Sequence, residues 1–143
     1  MSEKRRVDTV AEILQVGVDI ERIHFFGLSA SVNEAFDGTN LDEEVVPNYG
    51  MKSRHDGREL GYRMTARLEP AVGSVFVDVA VDYLLAEDVE LSDELRLEFA
   101  NEVAVMTLLP YVRSAISELT LKVFGAPLLM PIMQRGEVSF TAP

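Results

Sequence analysis

The chain contains no cysteine and no tryptophan, and only two histidines among 143 residues. Without thiols there is no disulfide, no thiolate nucleophile and no cysteine-held metal site, which fits a reducing, cytoplasmic setting. His24 and His55 lie far apart and show no H-E-x-x-H or similar ligand spacing, so histidine metal chemistry has no motif. Positive charge is scarce too: 13 Lys+Arg stand against 24 Asp+Glu, a formal net charge of -11. Such a surface repels phosphate backbones and anionic headgroups. It argues against nucleic acid and bare membrane as partners and favours basic polypeptides. No apolar run is long enough to span a bilayer, and the charged start from Met1 to Arg6 leads into no apolar stretch. Catalytic patterns are missing as well. Ser29, Ser31 and Ser114 have no base at a motif spacing, no glycine pattern cradles phosphate, and Asp42, Glu43 and Glu44 lack the alternating spacing of a calcium loop. The reading is a non-enzyme with no cofactor and no metal.

What is present suits one α+β domain over residues 1–143, with 48% hydrophobic residues to build a core. Residues 7–16 read as a short amphipathic helix, with Val7, Val10, Ile13 and Leu14 on its apolar side and Gly17 at its end. An antiparallel sheet of four strands fills 18–87, with an irregular loop at 36–58 in which a weak strand has room near Glu44–Tyr49 or Met51–Arg54. In the first strand two apolar phases meet at Phe25 and Phe26, which predicts a β-bulge beside Gly27. Leu60 to Leu68 alternates cleanly. Val75 to Tyr83 alternates as well, but its second face, Phe76, Asp78, Ala80, Asp82 and Leu84, is also partly apolar. Ser92 is a good N-cap for a long helix over 92–125, which Pro110 should kink and Gly125 should close. Residues 126–143 read as an extended, apolar, proline-rich tail.

The apolar surplus points to function. Val103, Val105, Met106 and Leu109 crowd around one helix, which predicts cover on both sides and hence an oligomer interface. Val45, Val46, Tyr49, Met51, Leu128, Leu129 and Met130 are apolar among turn formers, and Phe76 and Leu84 lie on the outer strand face. Flexible apolar side chains in such places suit a surface that accepts many polypeptide sequences.

The order of elements resembles the SecB family of bacterial protein-export chaperones. The resemblance rests on Leu109-Pro110-Tyr111-Val112-Arg113, similar to the family's Pro-Tyr-x-Arg, and on Gly125-Ala126-Pro127-Leu128-Leu129-Met130-Pro131-Ile132, similar to its G…P-x-L…P-[VI] segment. It covers about residues 20 to 133. It implies an ATP-independent holding chaperone for unfolded or precursor polypeptides. The assembly would be a homotetramer, a dimer of dimers, with long helices between two eight-stranded sheets. It also implies docking of the export motor ATPase on an acidic outer sheet face, here Asp78 and Asp82. The chain departs from the pattern in having no second long helix and no Cys/His-rich zinc tail. A related branch serves single antitoxins of toxin–antitoxin systems, and an oligomeric adaptor without chaperone activity is the remaining reading.

Overall fold

The computed structural model describes residues 4–36, 45–128, 130 and 137–141. A two-residue strand, β1 (Arg5–Arg6), pairs in parallel with β6 (Val89–Glu90) and brings the N-terminal segment to the start of the long helix. Helix α1 (Val10–Val16) begins three residues later than the apolar period predicts. Thr9 fixes that start: its hydroxyl accepts from Glu12 N–H at 3.1 Å, and the Glu12 carboxylate returns to the Thr9 hydroxyl and to Asp8 N–H. Val7, Val10 and Ile13 enter the core, whereas Leu14 is exposed.

The main sheet consists of β2 (Val18–Val32), β3 (Asn48–Asp56), β4 (Glu59–Leu68) and β5 (Gly73–Leu85), antiparallel in the order β2-β5-β4-β3. The irregular region therefore does hold a strand, β3, and 36–58 is not loop throughout. Tyr49, Met51, Ser53 and His55 alternate toward the inner side, a period diluted by Gly50, Lys52 and Arg54. The predicted bulge lies where it was expected, between Phe25 and Gly27, and a second shift falls between Ile20 and Arg22. Gly73 permits the close approach of β5 to β2, since a Cβ there would collide with the Ser31 carbonyl.

The inner face of the sheet packs on one helical column. Helix α2 (Asp93–Phe99) is capped by Ser92, whose hydroxyl accepts from Leu95 N–H at 3.1 Å. It passes through a π-helical turn (Ala100–Ala104) into α3 (Val105–Phe124), which runs through Pro110 and ends at left-handed Gly125. The π turn explains the crowded apolar run. Buried Phe99 and Ala100 are followed by buried Ala104 and Val105, five residues on, and the stripe then continues through Leu108, Leu109, Val112 and Ile116. One extra residue shifts the apolar phase, so a one-sided stripe looks like an all-round one. Val105 and Leu109 consequently face the subunit's own sheet, which corrects their assignment to an oligomer interface. Val103 and Met106 are half-buried. Tyr62, Tyr83 and Phe99 form an aromatic cluster beneath the column, with ring centroids 5.2–6.2 Å apart. No helix among the described residues is long and apolar enough to cross a membrane.

Candidate polypeptide groove and outer face

β3 lies at an edge of the sheet, and alternation along it serves two surfaces at once. Its inner side chains Met51 and Ser53 meet Leu97, Ala100 and the acidic residues of α2 to form a groove of about 630 Å³. Asp93, Glu94 and Glu98 make the rim negative, and the Arg96 guanidinium there is hydrogen-bonded to Asp93. Phe140 and Thr141 form part of the wall of this groove. The side-chain amide of Asn101, in the π turn, donates to the Phe140 carbonyl at 2.9 Å and accepts from Phe140 N–H at 2.7 Å. One amide thus satisfies both backbone groups of a single residue, as a neighbouring strand would. Val138, two residues earlier, is buried in the core and Phe140 packs against it.

The residues expected to bind polypeptide separate in the structure. Met51 lines the groove, and Tyr49 lies beside it on the same side of β3, half-buried. Burial pushes the Tyr49 phenol up, and its oxygen has no hydrogen-bond partner among the described residues. Val46 is strongly exposed and Val45 half-buried at the entry to β3. Phe76 and Leu84 are half-buried on the opposite, outer face, away from the groove. Leu128 is half-buried, Met130 is 8% exposed and belongs to the core, and Leu129 lies outside the described residues. The groove expectation for Met130 is therefore corrected: its carbonyl accepts from Arg113 and its side chain fills the interior. The acidic stretch Asp37 to Glu44 also lies outside the described residues.

Asp78 and Asp82 do face outward, as strand alternation requires, but they are not solvent-exposed. They are 7% and 6% exposed, covered by arginines. Arg63 grips Asp78 through Nε at 2.8 Å and Nη2 at 2.6 Å, and this bond holds its guanidinium above the usual arginine range. Arg22 Nε donates to Asp82 at 2.9 Å and is pushed up for the same reason, while Arg54 approaches Asp82 to 3.5 Å. Gly61 leaves room for this set, since a Cβ there would meet Asp82 Oδ1 at 3.0 Å and Arg54 Nε at 3.1 Å. The centre of the outer face is basic at its surface and acidic only beneath. Sequence reading missed Arg22, Arg54, Arg63 and Asn101. Given the register, Arg22 was legible as the residue that β-pairing sets opposite Asp82, whereas Arg63 stands opposite Ala80 and reaches Asp78 diagonally, and Arg54 reaches Asp82 across Gly61.

The fold is SecB-like: a four-stranded antiparallel sheet carrying one long helix after it. Among solved structures it is similar to the Mycobacterium tuberculosis Rv1957 SecB-like chaperone, in complex with a ChAD peptide from the Rv1956 HigA1 antitoxin. That match has a TM-score of 0.64 and 18% sequence identity over 87% of this chain and 96% of that one. A protein of unknown function from Streptococcus agalactiae matches at a TM-score of 0.46 and 11% identity, covering 80% of this chain and 97% of that one. No protein-family model matches the chain, and no curated protein matches it.

Proposed function

We propose that the protein is an ATP-independent holding chaperone that binds extended polypeptide in the groove between β3 and α2. The observation that carries this reading is the reciprocal pair of hydrogen bonds between the Asn101 side chain and the Phe140 backbone. A side chain that reads backbone N–H and C=O recognises extended chain whatever its sequence, and Val138 and Phe140 show what kind of side chains the neighbouring surface accepts. The edge of β3, unpaired among the described residues, offers further backbone bonds to an added strand. Burying ~500 Å² of client apolar surface at ~25 cal/mol per Å² gives on the order of 12 kcal/mol gross, much of it offset by ordering a flexible client. Modest affinity and fast exchange follow. The acidic rim favours clients with basic flanks.

Service to a single antitoxin is the reading favoured within this class, because the similar Rv1957 structure holds an antitoxin peptide. The motor-docking role drawn for Asp78 and Asp82 is not retained, since arginines cover both carboxylates.

Assembly is assigned to β2 rather than to α3. Ile20, Phe25, Leu28 and Val32 share the helix-facing side of this edge strand by register, yet all are exposed in the single chain. A long apolar edge of that kind calls for a second copy. Aggregation of an unrelated unfolded protein, followed by light scattering, tests the proposal. Suppression by wild type is expected, and its loss in Asn101→Leu assayed well below that variant's melting temperature, which the two lost hydrogen bonds lower. No suppression by the wild-type oligomer would leave an adaptor as the reading.

A further inference from the structure

We propose that the outer face of the sheet carries a second binding site, selective for a carboxylate on an extended polypeptide segment. Arg22, Lys52, Arg54 and Arg63 line one depression of about 260 Å³, with His24 and Phe26 at its side and Asp82 as its one lining carboxylate. Four of the chain's 13 Lys and Arg residues thus converge on one spot of a protein whose net charge is -11. Asp82 and Asp78 fix the guanidinium groups without exhausting them. Arg22 uses Nε on Asp82, and its two terminal nitrogens have no partner among the described residues. Lys52 has no ion pair among them at all. A guanidinium already oriented by one carboxylate loses less freedom when it binds another.

Phe26 adds the second half of the argument. It is 54% exposed, and the Arg63 guanidinium lies 3.9 Å from its ring centroid. A cation layered on an exposed ring offers both a charge and an apolar plate, which suits an acidic side chain next to an apolar one. A polyanion such as nucleic acid meets the long-range repulsion of the whole molecule, whereas one carboxylate meets only the local field. Lys52 also sits between Met51 and Ser53, which line the groove on the other side of the same edge strand. A chain leaving the groove over β3 arrives here. The choice of a polypeptide rests on the groove reading; the preference for a carboxylate does not.

Fluorescence anisotropy on the intact protein tests the site, with a blocked, fluorescein-labelled peptide Gly-Glu-Phe-Glu-Gly and its glutamine counterpart. The acidic peptide is expected to bind about tenfold tighter. Lys52→Glu should weaken it about fivefold, while Lys122→Glu, the same charge change on α3, should leave it unaltered. Equal binding of the two peptides, or equal loss in the two variants, overturns the site. Displacement by inorganic phosphate at concentrations no higher than those of unlabelled acidic peptide overturns the polypeptide assignment. An uncharged apolar peptide, bound through the groove, should bind Lys52→Glu as well as wild type. Its failure to bind wild type would count against the groove alone.

Discussion

Arg63 on β4 and Asp78 on β5 meet diagonally across the strand pair in a two-pronged ion pair, Nε to Oδ1 at 2.8 Å and Nη2 to Oδ2 at 2.6 Å, with the carboxylate almost wholly covered. Asp78→Lys would set a second cation against Arg63 inside that cover. The carboxylate is buried but the Arg63 side chain is 42% exposed, so water screens part of the loss and the cost falls short of that for a fully buried pair. Thermal or urea unfolding of the variant should show a clear loss of stability, and an unchanged midpoint would mean that the aspartate is solvated.

The tail contact predicts competition. Phe140→Ser removes the side chain that anchors the segment while leaving the Asn101 amide in place. Client peptides should bind this variant more tightly than wild type by about threefold to tenfold, the range of ~0.7–1.4 kcal/mol for one released contact. Titration of a labelled unfolded segment into both proteins decides it; weaker binding would make Phe140 part of the receiving surface.

Leu28→Asp tests the assembly. The side chain is exposed in the single chain, so the subunit should fold normally, as judged by circular dichroism, while the oligomer dissociates in sedimentation at micromolar concentration. A charge left unpaired in an apolar contact costs several kcal/mol. An intact oligomer would move the interface elsewhere.

Alkali should destabilise the fold through its aromatic cluster. Burial pushes the Tyr62 and Tyr83 phenols above their usual range. Folded and unfolded chains both keep these protons below about pH 10, so stability is unaffected there. Above it the unfolded chain releases them first, binds fewer protons than the folded one, and is favoured as pH rises. Tyrosinate absorbance from these rings should therefore appear together with the loss of helical signal, and Tyr62→Phe, which loses a 2.8 Å bond to the Arg96 carbonyl, should cost about 1 kcal/mol.

The strands of Leu60–Leu68 and Val75–Tyr83, the bulge at Gly27 and both caps of the helical column were readable because each rests on local chemistry: alternation, a change of apolar phase, a hydroxyl at Ser92, a glycine at Gly125. β3 was only half visible, because it borders two surfaces and carries cations on one of them. Exposure of Asp78 and Asp82 was misjudged for a related reason. Alternation tells which way a side chain points, but not that Arg63 on β4 and Arg22 on β2 bend over it. The groove depended on Asn101 meeting Phe140 across 39 residues, and no periodicity records such a meeting.

The π turn at Ala100–Ala104 amounts to one residue too many in an otherwise regular helix, seen in the Val105 N–H reaching back to the Ala100 carbonyl. Deleting a single residue there would restore ordinary α-helical bonding and still leave the stripes of α2 and α3 facing the sheet, since only the surplus is removed. The mended helix would gain stability and lose the position from which Asn101 reaches a passing chain. The capacity to hold a backbone thus depends on the length of the chain as well as on the Asn101 side chain. A one-residue deletion would abolish it more cleanly than most substitutions, in a protein that by every spectroscopic measure still folds.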